Sequence, residues 1–167
     1  MPQSPLSAME KAMRLLSLRA LSSAELRTRL LRAGFSPAEA DDAVEECKHR
    51  HYLDDTQLAA DCVELLRSRN TAKRLICRKL QQRGLSAEIA DGLPEEDPDA
   101  AEIAAGRRAL AQKWRLLSRE SDPRKKREKL YRFLAGRGFA PASIRQALDR
   151  LRAEEEHPEL AEEDPAF

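Results

Sequence analysis

Three glycine-centred turns, each set between two amphipathic segments, constrain this chain more than any other feature. They read Arg32-Ala33-Gly34-Phe35-Ser36-Pro37, Arg83-Gly84-Leu85-Ser86 and Arg137-Gly138-Phe139-Ala140-Pro141, with the glycines 50 and then 54 residues apart. Matched apolar pairs lead into each turn: Leu26 and Leu30, Ile76 and Leu80, Leu130 and Leu134. Beyond the turns, Ala40, Ala90, and Ile144 with Ala147 resume an apolar face. The four-residue spacing is that of one helix face. A period near fifty marks a chain built from small units that cannot bury a core alone, lean on their neighbours and bind along something extended.

Composition sets the class. Charged residues make up 35% of the 167 and aromatics 4%, with Ala, Leu, Arg and Glu abundant and no alternating run of β-branched residues. The expected fold is all-α. Helix punctuation places the elements. Ser22-Ser23-Ala24-Glu25 and Ser36-Pro37-Ala38-Glu39 are capping boxes, and Pro37 stands at a first helical position where its missing donor costs nothing. The first repeat, residues 6–53, therefore reads as helices from Leu6 to Leu18, Ser23 to Ala33 and Pro37 to Arg50, with Gly34 as a left-handed stop.

The second repeat, 54–94, opens at Asp54-Asp55-Thr56-Gln57 and continues with a basic helix from Thr71 to Arg83, capped by Asn70. A short helix follows Ser86 and ends before Pro94, and Glu95-Glu96-Asp97-Pro98 forms an acidic linker. The third repeat, 98–153, reads as helices from Pro98 to Arg119, Arg124 to Gly136 behind an Asp122-Pro123 cap, and Ala142 to Glu155. Residues 154–167 read as an acidic, disordered tail. The expectation is three tandem three-helix repeats.

No catalytic constellation emerges. His49, His51 and His157 are the only histidines, and neither a serine elbow, a glycine-rich phosphate loop nor a His-Glu-x-x-His pair occurs. The chain is read as a non-enzyme with no cofactor. Cys47-x-His49-x-His51 lacks a second ligand pair at zinc spacing, so no metal is assigned. Cys47, Cys62 and Cys77 lie in helical patterns and read as small buried hydrophobes in a reducing cytosol. No signal pattern and no long apolar run is present, which points to a cytoplasmic protein without a membrane partner.

A net charge of +1 conceals opposed blocks. Residues 38–64 carry nine acids, whereas residues 100–152 hold fifteen Lys or Arg against five acids. A DNA-reading helix-turn-helix would send the helix after each turn into the groove. In the first repeat that helix carries Glu39, Asp41, Asp42, Glu45 and Glu46, which phosphates repel. Positive charge sits instead on the helix before each turn: Arg27, Arg29 and Arg32; Lys73, Arg74, Arg78 and Lys79; Arg124, Lys125, Lys126, Arg127, Lys129 and Arg132. Those thirteen residues are the candidate site for a phosphate backbone or an acidic protein surface. Trp114 reads as a core residue in preference to a stacking platform.

Several segments resemble a known family. Ala-Glu-Leu-Arg-x-x-Leu-x-x-x-Gly-Phe at 24–35, His-Tyr-Leu-Asp-Asp-x-x-x-Ala at 51–59, Lys79-Leu80 ahead of Gly84-Leu85, and Lys-Leu-Tyr-Arg-Phe-Leu-x-x-Arg-Gly-Phe at 129–139 are together similar to RecX recombination regulators. The likeness spans residues 10–152. It implies an elongated, curved molecule of three tandem three-helix repeats. It further implies a negative regulator that binds the RecA–single-stranded DNA filament and inhibits its extension, ATPase and strand exchange. DNA, single-stranded first and duplex as well, is implied as a weaker ligand, and a monomer is expected. Leu58 stands where an aromatic commonly follows the Asp-Asp pair, and Asn70 where a glycine is expected. The tail beyond residue 153 lies outside the likeness. The residues taken alone support a nucleic-acid-binding helical module acting without RecA, or an adaptor for another helical partner.

Overall fold

A computed structural model describes residues 6–88, 98–117 and 122–156. Its helices are α1 (Ala8–Leu18), α2 (Ser23–Arg32), α3 (Pro37–His49), α4 (Asp55–Ser68), α5 (Lys73–Gln82), α6 (Pro98–Leu116), α7 (Pro123–Gly136) and α8 (Pro141–Glu156). No strand occurs among the described residues. The short helix expected after Ser86 falls mainly on residues 89–97, outside the described residues, as do residues 157–167 of the acidic tail.

Local chemistry sets the boundaries. Ser22 and Ser36 each accept from the amide three residues on, and Glu25 and Glu39 return a bond to the cap amide, so both expected capping boxes form. Ser7 and Glu10 build a third at the start of α1. Asp54 accepts from the Gln57 amide at 2.8 Å, and Asp122 caps α7 through the Arg124 amide. Gly34, Gly84 and Gly138 all adopt left-handed conformations, with φ of 94°, 70° and 88°.

One expectation is corrected. Asn70 does not cap α5, which starts three residues later; it sits at φ 50° and closes the turn after α4, its amide donating to the Arg67 carbonyl at 2.7 Å. Asparagine tolerates the left-handed region better than most side chains, and here it takes the conformation a glycine would supply.

The helices form two compact units, Met1–Val63 with Arg78–Asp91, and Glu64–Cys77 with Gly92–Phe167. The first has a core of Ala12, Leu21, Leu26, Leu30, Ala40, Ala43, Val44, Cys47 and Leu53, flanked by Met9, Leu15, Leu16 and Phe35. The second packs Ala72, Ala109, Leu110, Leu130, Leu134, Phe139, Ile144, Ala147 and Leu148, flanked by Trp114, Tyr131 and Phe133. Each fully buried Leu, Ile or Phe contributes about 1.5–3 kcal/mol relative to an exposed one. Two of the three boundaries between the units fall inside α4 and α5.

Both units contain the same joint. In the first, the loop and first turn of α2 lie against Arg83-Gly84. Arg83 donates to the Ala20 carbonyl at 3.2 Å, and the buried Ser22 hydroxyl donates to the Arg83 carbonyl. A Cβ on Gly84 would stand 2.5 Å from the Ala24 Cβ. In the second, the loop before α5 lies against Arg137-Gly138. Arg137 donates to the Arg69 carbonyl at 3.0 Å, the Ala72 amide donates to the Arg137 carbonyl at 3.0 Å, and a Cβ on Gly138 would collide with Leu75. At Gly34 nothing lies within 4 Å of such a Cβ. There the arginine is also missing, because Ala33 precedes the glycine.

Candidate nucleic-acid and filament interface

The helix before each glycine turn buries one stripe and turns its cations away from it. Leu26 and Leu30 are buried on α2, Leu75, Ile76 and Leu80 on α5, and Leu130 and Leu134 on α7. The thirteen candidate residues divide by what holds them. In the first unit Arg27 is ion-paired with Asp41 of α3. Arg29, half-buried, and Arg32, exposed, have no carboxylate partner among the described residues. Arg78 and Lys79, exposed on the part of α5 that belongs to the same unit, also have none.

In the second unit Arg74 is committed to structure: its guanidinium donates to the carbonyls of Gly138 and, at 2.7 Å, Phe139. Lys73, half-buried, also has an interaction partner. On α7, Arg127 pairs with Asp149 at 2.8 Å and Arg132 with Glu128. Lys125 reaches Asp122 only at 3.9 Å, Arg124 is exposed without a carboxylate partner among the described residues, and Lys129 is engaged. Lys126 lays its ammonium over the Trp114 ring, 2.9 Å from the centroid. Phe133 carries two cations, the Arg137 guanidinium carbon 4.0 Å and the Lys113 nitrogen 5.6 Å from its centroid.

Three of the five carboxylates of α3 are paired with cations. Asp41 takes Arg27, Glu45 takes Lys48 at 2.8 Å, and Glu46 takes Arg50. Exposed pairs of this kind contribute about 0–1 kcal/mol each to stability, so their effect on the local field outweighs their effect on the fold. Cys47 is buried with its sulfur 3.8 Å from Met9, and burial pushes its thiol up, whereas His49 and His51 are exposed.

Sequence reasoning missed Arg83 and Arg137 as joint residues. Arg83 holds three groups at once: Glu25 at 2.9 Å, the Ala20 carbonyl, and Cys62 at 3.0 Å. Its hydrogen bond to Glu25 outweighs burial and raises its own pKa. Burial acts to raise the Glu25 carboxyl, but Arg83, the Ser22 amide and Arg19 together bring it below its ordinary value. The available signal was the Arg-Gly dipeptide, present in the second and third turns and absent from the first.

Comparison with known proteins agrees with this architecture. The model for the first three-helix domain of RecX matches residues 8–47, and that for its third three-helix domain matches residues 100–148. A regulatory protein RecX from Chlorobium phaeobacteroides is 34% identical over 145 residues, covering 86% of this chain and 93% of the relative. The regulatory protein RecX of Deinococcus radiodurans is 33% identical over 153 residues, covering 91% of this chain and 71% of the relative. The crystal structure of RecX from Lactobacillus salivarius superimposes with a TM-score of 0.60 at 18% identity, covering 87% of this chain and 95% of that one, a likeness of fold. Three-helix repeats, family models and relatives of matching length converge: the chain belongs to the RecX family of regulatory proteins.

Proposed function

We propose that this protein restrains RecA by binding the RecA–single-stranded DNA filament and limiting its extension, ATPase and strand exchange. The family's regulatory character supplies the class. The observation that carries the reading on this chain is the set of cations left without carboxylate partners on the helices before the glycine turns: Arg29, Arg32, Arg78, Lys79 and Arg124. Such side chains are the ones that can release counterions from phosphates or meet carboxylates on a filament. Arg27, Arg74, Arg127 and Arg132, held by partners inside the protein, contribute less in this reading. The three ion pairs on α3 would lessen its repulsion of a polyanion. The protein would act in the cytoplasm as a monomer without cofactor or catalysis, with the RecA filament as main partner and DNA as weaker ligand.

The test is a RecA ATPase assay on single-stranded DNA with this protein titrated in. The rate is expected to fall as the protein is added. An unchanged rate, combined with steeply salt-dependent binding to bare single-stranded DNA, would leave a nucleic-acid-binding module that acts without RecA.

A further inference from the structure

We propose that Trp114, with Lys126, forms a stacking site for an unpaired nucleobase of single-stranded DNA, with Phe133 and its two cations extending the same surface. The proposal deepens the reading above, since it rests on α7 meeting DNA. Trp114 and Phe133 are partly buried, each packing against the core of the second unit. Both rings bear cations, Lys126 on Trp114, and Arg137 with Lys113 on Phe133.

Aromatic rings laid among cations are the two parts that single-strand binding surfaces combine, one for the base and one for the phosphate. The geometry also suggests how they exchange. The cation–π contact with the partly buried Trp114 ring is one hold on the Lys126 ammonium, which is also engaged elsewhere, and a base competes for the ring contact alone. A base offers the indole a much larger contact. Once displaced, the Lys126 ammonium remains within one nucleotide's reach and can pair with the adjoining phosphate, beside Arg124 and Lys125 one turn or less away on α7. Duplex DNA hides its base faces, so the site selects unpaired strands.

Trp114 is the only tryptophan in the chain, so it reports on itself. The wild-type protein is titrated with oligo-dT of about twelve nucleotides. Parallel titrations use an abasic strand of equal length, the corresponding duplex and poly-glutamate. Stacking predicts that oligo-dT quenches the fluorescence strongly while the phosphate-only strand, the duplex and poly-glutamate do not. W114L is expected to bind oligo-dT about tenfold more weakly with an unchanged salt slope, and W114F to recover most of the loss. Equal quenching by the abasic strand or by poly-glutamate, no response to oligo-dT, or wild-type affinity in W114L overturns the proposal. If W114L does not fold, the wild-type titrations decide alone. A failed RecA ATPase assay is a separate result, because this experiment contains no RecA.

Discussion

Gly84→Ala and Gly34→Ala make a controlled pair, because both glycines are left-handed and both lie in the first unit. An alanine at either position faces the left-handed penalty of about 1–2 kcal/mol, partly offset by about 0.4–1 kcal/mol from a stiffer unfolded chain. At Gly34 nothing else is in the way, so the net loss is about 1 kcal/mol. At Gly84 the new Cβ meets the Ala24 Cβ at 2.5 Å. Ala24 has no torsion to turn aside, being in the first turn of a helix whose cap is itself bonded to Arg83. Backbone must move, which adds about 1–3 kcal/mol, for a total near 3 kcal/mol. Against a whole-protein stability of about 5–15 kcal/mol, that loss is large. Urea unfolding followed by helical circular dichroism should show a midpoint shift of about 1 M or more for G84A, and a fraction of that for G34A. Adding Ala24→Gly to G84A removes the collision and should recover more than the roughly 0.5–1 kcal/mol that a helical glycine costs. Equal shifts for the two alanine variants, or no rescue by A24G, would refute the close-approach argument.

Arg83→Ala should destabilise the first unit by about 1–3 kcal/mol, because Glu25 loses one of its donors and the Ala20 carbonyl loses the guanidinium; unfolding in urea measures it. Glu25 gives a pH signature: its folded pKa lies below its ordinary value of 4.5, so its stabilising contribution is complete above that pH and is lost as pH falls through the lower folded value. E25Q should therefore be less stable than wild type at neutral pH, with the gap closing in acid; a gap constant down to about pH 3 would contradict the assignment. R78E/K79E should lower the slope of log affinity against log salt for single-stranded DNA by about two, with helicity retained, and an unchanged slope would place the binding surface elsewhere.

Much of the fold was legible because helix ends are encoded locally. The Ser-x-x-Glu boxes at 22–25 and 36–39, the prolines at 37 and 123, and the glycines after α2, α5 and α7 each act through bonds within a few residues. Asn70 was misread because a cap and a left-handed turn favour the same side chain, and only the backbone conformation tells them apart. The cationic helices were equally visible, yet charge counting could not tell Arg29 from Arg74. One is without a carboxylate partner and the other is spent on two carbonyls more than sixty residues away.

The sequence by itself determined the all-α class, the period of the glycine turns and which helices carry positive charge, since periodicity, capping and composition are read along a single helix. Tertiary structure decided what those features are for. Gly84 and Gly138 end helices as Gly34 does, but they also admit the start of an earlier helix, a role fixed by neighbours distant in the chain. Arg83 and Arg137, which look like two more surface cations, became joint residues for the same reason. Trp114, which reads as core, is only partly buried against it and carries a lysine over its ring. Burial and pairing depend on which surfaces meet in space, and a one-dimensional pattern of charge and hydropathy does not specify that.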